Sequence, residues 1–231
     1  IYNYVNGTWT QVGADIDGEA AGDYSGRSVS LSSDGSTVAI GAPYNDGNGS
    51  SSGHVRIYNY VNGSWTQVGA DIDGEGAYDW SGGSVSLSSD GNTMAIGAPY
   101  NDGNGSGSGH VRIYNYVNGS WTQVGADIDG EAAGDVSGYS VSLSSDGSTV
   151  AIGAWRNDGN GSGSGHVRVY NIESSVTYAT DTITSCGPYT WIDGNTYTTS
   201  NYTATYTLTN AAGCDSIVTL HLSILGTWTQ V

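Results

Sequence analysis

The segment Ile57-Tyr-Asn-Tyr-Val-Asn-Gly-Ser-Trp-Thr-Gln-Val68 reveals a repeat, because near-identical copies of it stand at residues 1–12 and 113–124. The repeat period is therefore 113 − 57 = 56 residues. Three copies of this period cover residues 1–168, and a fourth begins at 169–172 before the sequence changes character. A fixed period of this size indicates a solenoid, a propeller or an array of small domains.

One period contains apolar-polar alternation that is typical of half-buried strands, and no segment has a helical period. Asp34-Gly35 and Asn62-Gly63 mark tight turns, and Asn-Gly favours a type I′ hairpin because both residues there need positive φ. A loop rich in Gly, Asn and Ser lies at 45–53. Four antiparallel strands per repeat predict an all-β fold, a β-propeller of four-stranded blades, with about three and a half blades in this chain. We name the strands a, b, c and d, and expect them at 28–32, 37–42, 54–60 and 65–72.

Strand order divides the loops between two faces of the array. The a–b and c–d turns share one face, and the b–c loops and d–a connections share the other, which we name the long-loop face. Binding surfaces of rigid scaffolds concentrate on long loops, and the larger differences between copies lie on this side. Variation toward Trp, Tyr and Arg is typical of a recognition surface, although faster drift of exposed loops would also produce it. The candidate ligand-binding rim is Tyr24, Arg27, Tyr44, Tyr78, Trp80, Tyr100, Tyr139, Trp155 and Arg156.

Several short elements of each copy resemble the FG-GAP repeat of integrin α-subunit propellers and their many bacterial relatives. They are Ser25-Gly26, Val38 to Pro43 and Gly53 to Tyr58, although no copy contains Phe and the third has Gly153-Ala-Trp155 in place of Gly-Ala-Pro. The resemblance covers about residues 1–172. It implies a seven-bladed extracellular propeller used for adhesion or ligand binding. Further blades upstream, or self-association of several chains, would close such a ring.

The resemblance also implies Ca²⁺ binding through an Asp-rich a–b hairpin, but Ser33-Asp-Gly-Ser36 is too short to surround an ion. Carboxylates cluster instead in the d–a connections, where they could supply the six to eight oxygens that Ca²⁺ takes. Asp and Gly also cap turns without any metal. The candidate ligands are Asp15, Asp17, Glu19 and Asp23, with their equivalents Asp71, Asp73, Glu75 and Asp79, and Asp127, Asp129, Glu131 and Asp135.

Charge restricts the partners that we expect. The chain has 22 acidic and 5 basic residues, a formal net charge of −17. Such a surface repels nucleic acid, which proteins bind largely through Lys and Arg, and no run of about 18 apolar residues predicts a membrane span. We therefore expect a glycan or protein ligand, with no nucleic acid and no membrane insertion. Because residue 1 falls inside a repeat, we also expect the chain to be part of a longer protein.

A Thr- and Tyr-rich segment follows the repeats at 173–224, and its alternation predicts a small β-sandwich-like domain. Cys186 and Cys214 are the only cysteines, and a disulfide between them would stabilise so small a domain and favour an oxidising compartment; two free thiols are the alternative. The last segment, residues 225–231, contains at 226–231 the Gly-Thr-Trp-Thr-Gln-Val of the first copy. They are either a returning propeller strand or the start of another repeat. The expected strands are 177–184, 189–192, 195–199, 204–209 and 216–224.

This small domain resembles the short Cys-pair modules of giant surface adhesins from marine Bacteroidetes, chiefly in Tyr189 to Tyr197 and Asn210 to Ser216. The resemblance implies an exported, modular protein of the cell surface.

The sequence does not favour an enzyme, because each candidate catalytic residue recurs in register in all three copies. His54, His110 and His166 all stand in Gly-His-Val-Arg at the start of strand c, which favours a structural role. Paired carboxylates could serve a glycosidase, but nothing distinguishes the carboxylates of one copy. We therefore predict a non-enzymatic adhesin or ligand-binding propeller, outside the cell or on its surface. A passive structural spacer is the alternative.

Overall fold

The computed structural model describes residues 1–172, 177–209 and 215–225. The regular structure in these ranges is entirely β, so the described part of the chain offers no helix that could cross a membrane. The chain divides into two compact units, residues 1–172 and residues 173–231. We describe each unit by itself.

The large unit consists of an N-terminal hairpin, two complete blades and a blade of three strands. Each complete blade is an antiparallel sheet of four strands, and a short fifth strand pairs with the start of strand c. The blades confirm the all-β, propeller-type prediction. Their strands are β1 (Tyr2–Val5), β2 (Thr8–Gln11), β3 (Ser28–Leu31), β4 (Thr37–Ala42), β5 (His54–Val61), β6 (Ser64–Gln67), β7 (Ile72–Asp73), β8 (Ser84–Leu87), β9 (Thr93–Ala98), β10 (His110–Val117), β11 (Ser120–Gln123), β12 (Ile128–Asp129), β13 (Ser137–Leu143), β14 (Thr149–Ala154) and β15 (His166–Asn171).

Two details differ from the sequence expectation. Strand d is interrupted: β6 and β7 are separate, and between them Gly69 has a φ of 78° that breaks the ladder. Residues 169–171, where a fourth copy of the repeat begins, are the second half of β15, the strand c of the third blade. The c–d turn agrees with the expectation, because Asn62 and Gly63 have φ values of 51° and 88°.

The core lies between successive blades. Strand c of one blade carries apolar side chains that the strands a and b of the next blade cover, and Val55 and Ile57 are completely buried in this way. At the third blade, no following blade is present among the described residues, and the equivalent Val167 and Val169 are 68% and 64% exposed. Burial of such a side chain contributes about 1.5–3 kcal/mol. Contact with a following blade therefore adds to the stability of the blade before it.

The backbones of neighbouring blades approach so closely that only glycine fits at the contact. A Cβ atom added to Gly97 of β9 would overlap the carbonyl oxygen of Gly138 in the next blade, and Gly41 meets Gly82 in the same way. The hydroxyl of Ser84 donates to the Gly138 carbonyl at 2.8 Å. The Gly of the Gly-Ala-Pro element is therefore a packing requirement between blades.

The small unit is built from β16 (Thr177–Ser185), β17 (Tyr189–Thr190), β18 (Thr196–Tyr197), β19 (Thr205–Thr209) and β20 (Asp215–Ile224). Strand β20 is central, parallel to β16 and antiparallel to β19, and β17 and β18 form a separate ribbon. Trp191, Leu220 and Leu222 form the core, and the indole Nε1 of Trp191 donates to Asp181 at 2.8 Å. All five expected strands are present.

The disulfide and the last residues stay predictions. Cys186 is exposed on its loop. Cys214 and residues 226–231 lie outside the described residues.

We expect Gly97→Ala to lower the free energy of unfolding by about 1–3 kcal/mol, because the new methyl group overpacks the contact with the next blade. The matched control is Gly153→Ala, whose methyl group meets the rotatable hydroxyl of Ser140 and no neighbouring blade among the described residues. Urea unfolding of both variants measures the difference. An equal loss in the two would show that the contact between blades is not the cause.

Candidate functional site

Four aromatic rings lie in a row on the long-loop face, and we name them the aromatic ladder: Tyr24, Tyr44, Trp80 and Tyr100. The centroid distances along the row are 5.0 Å, 4.6 Å and 4.5 Å. Tyr44 and Tyr100 follow strand b of the first and second blades, and Tyr24 and Trp80 lie in the connections that enter these blades. The ladder therefore runs from blade to blade.

A second aromatic pair lies at the third blade. Tyr139 and Trp155 have a centroid separation of 5.8 Å, and the guanidinium carbon of Arg156 lies 4.6 Å from the centroid of the Trp155 ring. Tyr139 and Trp155 are about half exposed, at 49% and 48%. Seven of the nine predicted rim residues belong to the aromatic ladder or to this second cluster. The other two are Tyr78, which lines a hollow described below, and Arg27, which is exposed.

The ladder contains backbone strain. Tyr24 and Trp80 have φ values of 53° and 58°, and the equivalent Val136 also has 58°. A left-handed backbone costs an L-residue roughly 1–2 kcal/mol, and it is most unusual for a β-branched one. Glycine would avoid this cost, yet the chain has Tyr, Trp and Val at this position. Strain of this kind concentrates at functional sites.

Buried carboxylates hold the strained connections in place. The Asp79 carboxylate accepts hydrogen bonds from the Gly76 amide at 3.0 Å and from the Asn101 side chain at 2.9 Å. Asp23 and Asp135 are buried in the same way and accept the same two kinds of bond. These three candidate metal ligands therefore have a structural role, because their hydrogen bonds hold the d–a connection against the b–c loop.

Two shallow hollows adjoin the aromatic residues. One, of about 370 Å³, is lined by Tyr78, Trp80, Tyr100 and Asp102. The other, of about 400 Å³, occupies the equivalent place in the next repeat and includes Trp155, Arg156 and Asp158 in its lining. Both volumes fall at the small end of the range for ligand sites, about 300–1,000 Å³.

The remaining carboxylates of the d–a connections form three sets of equivalents, the third being Glu19, Glu75 and Glu131. Asp17, Asp73 and Asp129 are exposed. Asp15, Asp71 and Asp127 each accept a hydrogen bond from the glutamine four residues earlier, at 2.8, 2.5 and 2.7 Å. The structure also brings Asp71 to Glu19, and Asp127 to Glu75, each pair beside a histidine of strand c.

The histidines of these two groups are buried, with 1% of His110 exposed. The Nδ1 atom of His110 lies 3.8 Å from Glu75 and 3.6 Å from Asp127. Burial lowers the pKa of His110, and the Asp127 carboxylate opposes that shift. Burial also raises the pKa of Glu75, and the Arg112 guanidinium opposes that rise. In the third repeat, Glu131 contacts His166 at 3.5 Å and also pairs with Arg168.

The a–b turns use their own carboxylates, in agreement with the expectation that they are too short for an ion. Asp34 accepts hydrogen bonds from the Ser32 hydroxyl at 2.7 Å and from the Ser36 amide at 2.9 Å. These bonds lower the pKa of Asp34 to about 2, and Asp146 has the same value for the same reason. Calcium binding by the d–a connections stays a prediction.

The candidate site residues predicted from the sequence did not include the histidines of strand c. Their recurrence in register was interpreted as structural, and the burial of His54 and His110 agrees with packing. The available signal was that Glu, His and Asp recur at constant offsets, as in Glu19, His54 and Asp71 and again in Glu75, His110 and Asp127. Constant offsets alone do not reveal that the three side chains meet.

These blades define the large unit as a propeller-type repeat array. The family described as FG-GAP repeat matches residues 14–58, 66–114 and 126–170. The chain therefore belongs to the FG-GAP repeat family, as the short elements of each copy suggested. No curated protein matches the chain in sequence.

Solved structures show only distant likeness. Hydrazine synthase of Kuenenia stuttgartiensis is 16% identical with a TM-score of 0.41, over 63% of this chain and 33% of that one. The periplasmic gluconolactonase PpgL of Pseudomonas aeruginosa is 20% identical with a TM-score of 0.42, over 62% and 38%. A putative 6-phosphogluconolactonase from Bacteroides uniformis is 14% identical with a TM-score of 0.39, over 94% and 61%. The chain spans about a third of the first two, and the scores are too low to support a functional argument.

We expect Tyr78→Gly to raise the free energy of unfolding by up to about 1 kcal/mol, because Tyr78 has a φ of 69° and its side chain is 63% exposed. The matched control is Gly134→Tyr at the equivalent position, where φ is 83° and a Cβ atom would meet nothing within 4 Å. It should lower the free energy of unfolding by a similar amount. Chemical unfolding of both variants tests this, and a clear loss of stability in Tyr78→Gly would mean that the ring has a packing role.

Proposed function

We propose that the large unit is a non-enzymatic binding module that recognises uncharged polysaccharide through the aromatic ladder and the two hollows beside it. The observation that carries the proposal is the ladder itself, with strained Tyr24 and Trp80 in a row with Tyr44 and Tyr100. A fold that needed only stability would have glycine at the strained positions. The retained aromatic side chains therefore favour a role in binding.

The chemistry of the hollows suits a sugar. Aromatic faces offer a large, rigid apolar surface, against which the C–H face of a sugar ring can pack. Exposed carboxylates such as Asp102 and Asp158 can accept hydrogen bonds from hydroxyl groups while they also accept one from their own loop, at 2.7 Å and 2.6 Å. The net charge of −17 disfavours anionic ligands. An uncharged glycan fits these features better than an acidic one.

The spacing of the sites favours a repetitive ligand. The hollows recur at the same place in successive repeats, so one polysaccharide chain could occupy more than one of them. Linked weak sites of this kind gain affinity through effective concentration. A protein ligand would be expected to need a larger apolar patch than these two hollows provide.

The wider biological role is part of the same proposal. Adhesion outside the cell or on its surface agrees with the Cys-pair module that the small unit resembles, and with a surface that repels nucleic acid. Every acidic residue of the three repeats recurs in register, which supports a binding role over an enzymatic one. A passive spacer remains the competing function if the aromatic face binds nothing.

We expect the 231-residue chain to be retarded in native gels that contain an uncharged polysaccharide, with β-glucan, mannan, xylan and chitin derivatives as the panel. Trp80→Gly should weaken the affinity about 10-fold or more, because it removes the central ring of the ladder. Glycine adopts a positive φ without the strain that a side chain causes, so the fold should tolerate the substitution.

The matched control is Trp9→Ala. Trp9 is 66% exposed, on the hairpin β1–β2 and away from the ladder. Its loss should leave the retardation unchanged. If no polysaccharide of the panel retards the wild-type chain, or if Trp9→Ala weakens binding as much as Trp80→Gly, then the ladder is not a glycan site and the spacer function is favoured.

A further inference from the structure

Two buried histidines face pairs of carboxylates at equivalent places in successive blades. His110 is the first residue of β10 and is 1% exposed, and its Nδ1 atom has no hydrogen-bond partner among the described residues. This atom faces Glu75 Oε2 at 3.8 Å and Asp127 Oδ2 at 3.6 Å. Both separations are too long for a hydrogen bond. A buried imidazole nitrogen without a partner needs an explanation.

The same arrangement recurs one repeat earlier. His54 Nδ1 lies 3.8 Å from Glu19 Oε2 and 3.8 Å from Asp71 Oδ2. In each group the three donor atoms lie within 4.8 Å of one another. The Glu comes from the connection before the blade, the His from strand c, and the Asp from the chain between the strands β6 and β7 or their equivalents. Each group is therefore assembled by two successive repeats.

The donor set selects the kind of ion. One imidazole nitrogen and two carboxylate oxygens suit Zn²⁺, which takes three protein ligands and a water in open sites. Ca²⁺ prefers sites made of oxygen alone. Bonds of about 2.0–2.1 Å would place neighbouring ligand atoms roughly 3.3 Å apart in a tetrahedron. The observed distances from nitrogen to oxygen are 3.6–3.8 Å, and all three donor atoms of a group lie within 4.8 Å of one another, so the side chains would have to move inward to hold an ion.

The surroundings complete such a site. The second oxygen of Glu75, Oε1, lies 3.7 Å from Arg112 Nη1, and the second oxygen of Glu19 lies 3.5 Å from Arg56 Nη1. Each arginine can thus orient the carboxylate from behind, as partners of metal ligands commonly do. The Glu side chains are 45% exposed, which gives an ion a route from solvent.

We propose that His54, Glu19 and Asp71, and likewise His110, Glu75 and Asp127, bind one transition-metal dication of the zinc type per group. The third repeat has His166 and Glu131, but the residue 56 positions after Asp127 is Ile183, which offers no ligand. The chain therefore binds two ions. Neither group includes a residue of the aromatic ladder, so the metal proposal can be tested independently of the proposed function.

The test is calorimetric titration of the whole chain with Zn²⁺, prepared without a histidine tag and with both Cys186→Ser and Cys214→Ser so that neither thiol competes. We expect two equivalents to bind, one after His110→Gln, and none at comparable affinity after His54→Gln with His110→Gln. His166→Gln is the matched control and should leave two equivalents. Excess Ca²⁺ should not displace the ions.

A second variant protects the test from a folding defect. Asp127→Asn changes one oxygen of a half-buried carboxylate and should also reduce the stoichiometry to one. Co²⁺ in place of Zn²⁺ should give the visible absorption of a four-coordinate ion, and Asp127→Asn should halve it. Binding of two equivalents that survives in the double histidine variant would overturn the proposal. Failure of the chain without cysteines to bind Zn²⁺ would do the same.

Discussion

The contact between the backbones of successive blades is the constraint on which the large unit depends. At Gly41 and Gly97, the carbonyl of the next blade occupies the space of a side chain, and the hydroxyls of Ser28 and Ser84 donate to that carbonyl at 2.7 Å and 2.8 Å. The contact holds each strand c against the next blade. It explains why the equivalents of Val167 are buried wherever a further blade follows.

The same contact brings together residues that are distant in the chain. Tyr44 meets Trp80 only because strand b of one blade ends beside the connection that enters the next. Glu75 and Asp127 meet at His110 for a related reason, since they belong to consecutive connections. Both the aromatic ladder and the histidine groups are thus properties of the array, and a single repeat could form neither.

The copies differ in side chains at positions where the backbone conformation stays the same. The position of Tyr24 and Trp80 has a positive φ in every copy, so the fold itself imposes this backbone conformation. The residue at the position varies among Tyr, Trp and Val. The buried Asp23, Asp79 and Asp135 do not vary, because each attaches the strained connection to a loop. A constant frame with variable aromatic residues is a suitable basis for recognition.

The period, the strands and the turns could be predicted from the amino-acid sequence, because alternation and Asn-Gly steps act over a few residues. The sequence also indicated the rim, whose aromatic residues lie on the predicted long-loop face, and the elements by which the chain was identified as an FG-GAP relative. It did not reveal the positive φ of Trp80 or the meeting of Glu19, His54 and Asp71. Those depend on how blades pack, and contacts between residues 17 to 52 positions apart leave no local pattern in the chain. Which carboxylates hold loops and which face a buried imidazole became visible only in the folded chain, because packing between blades brings these groups together.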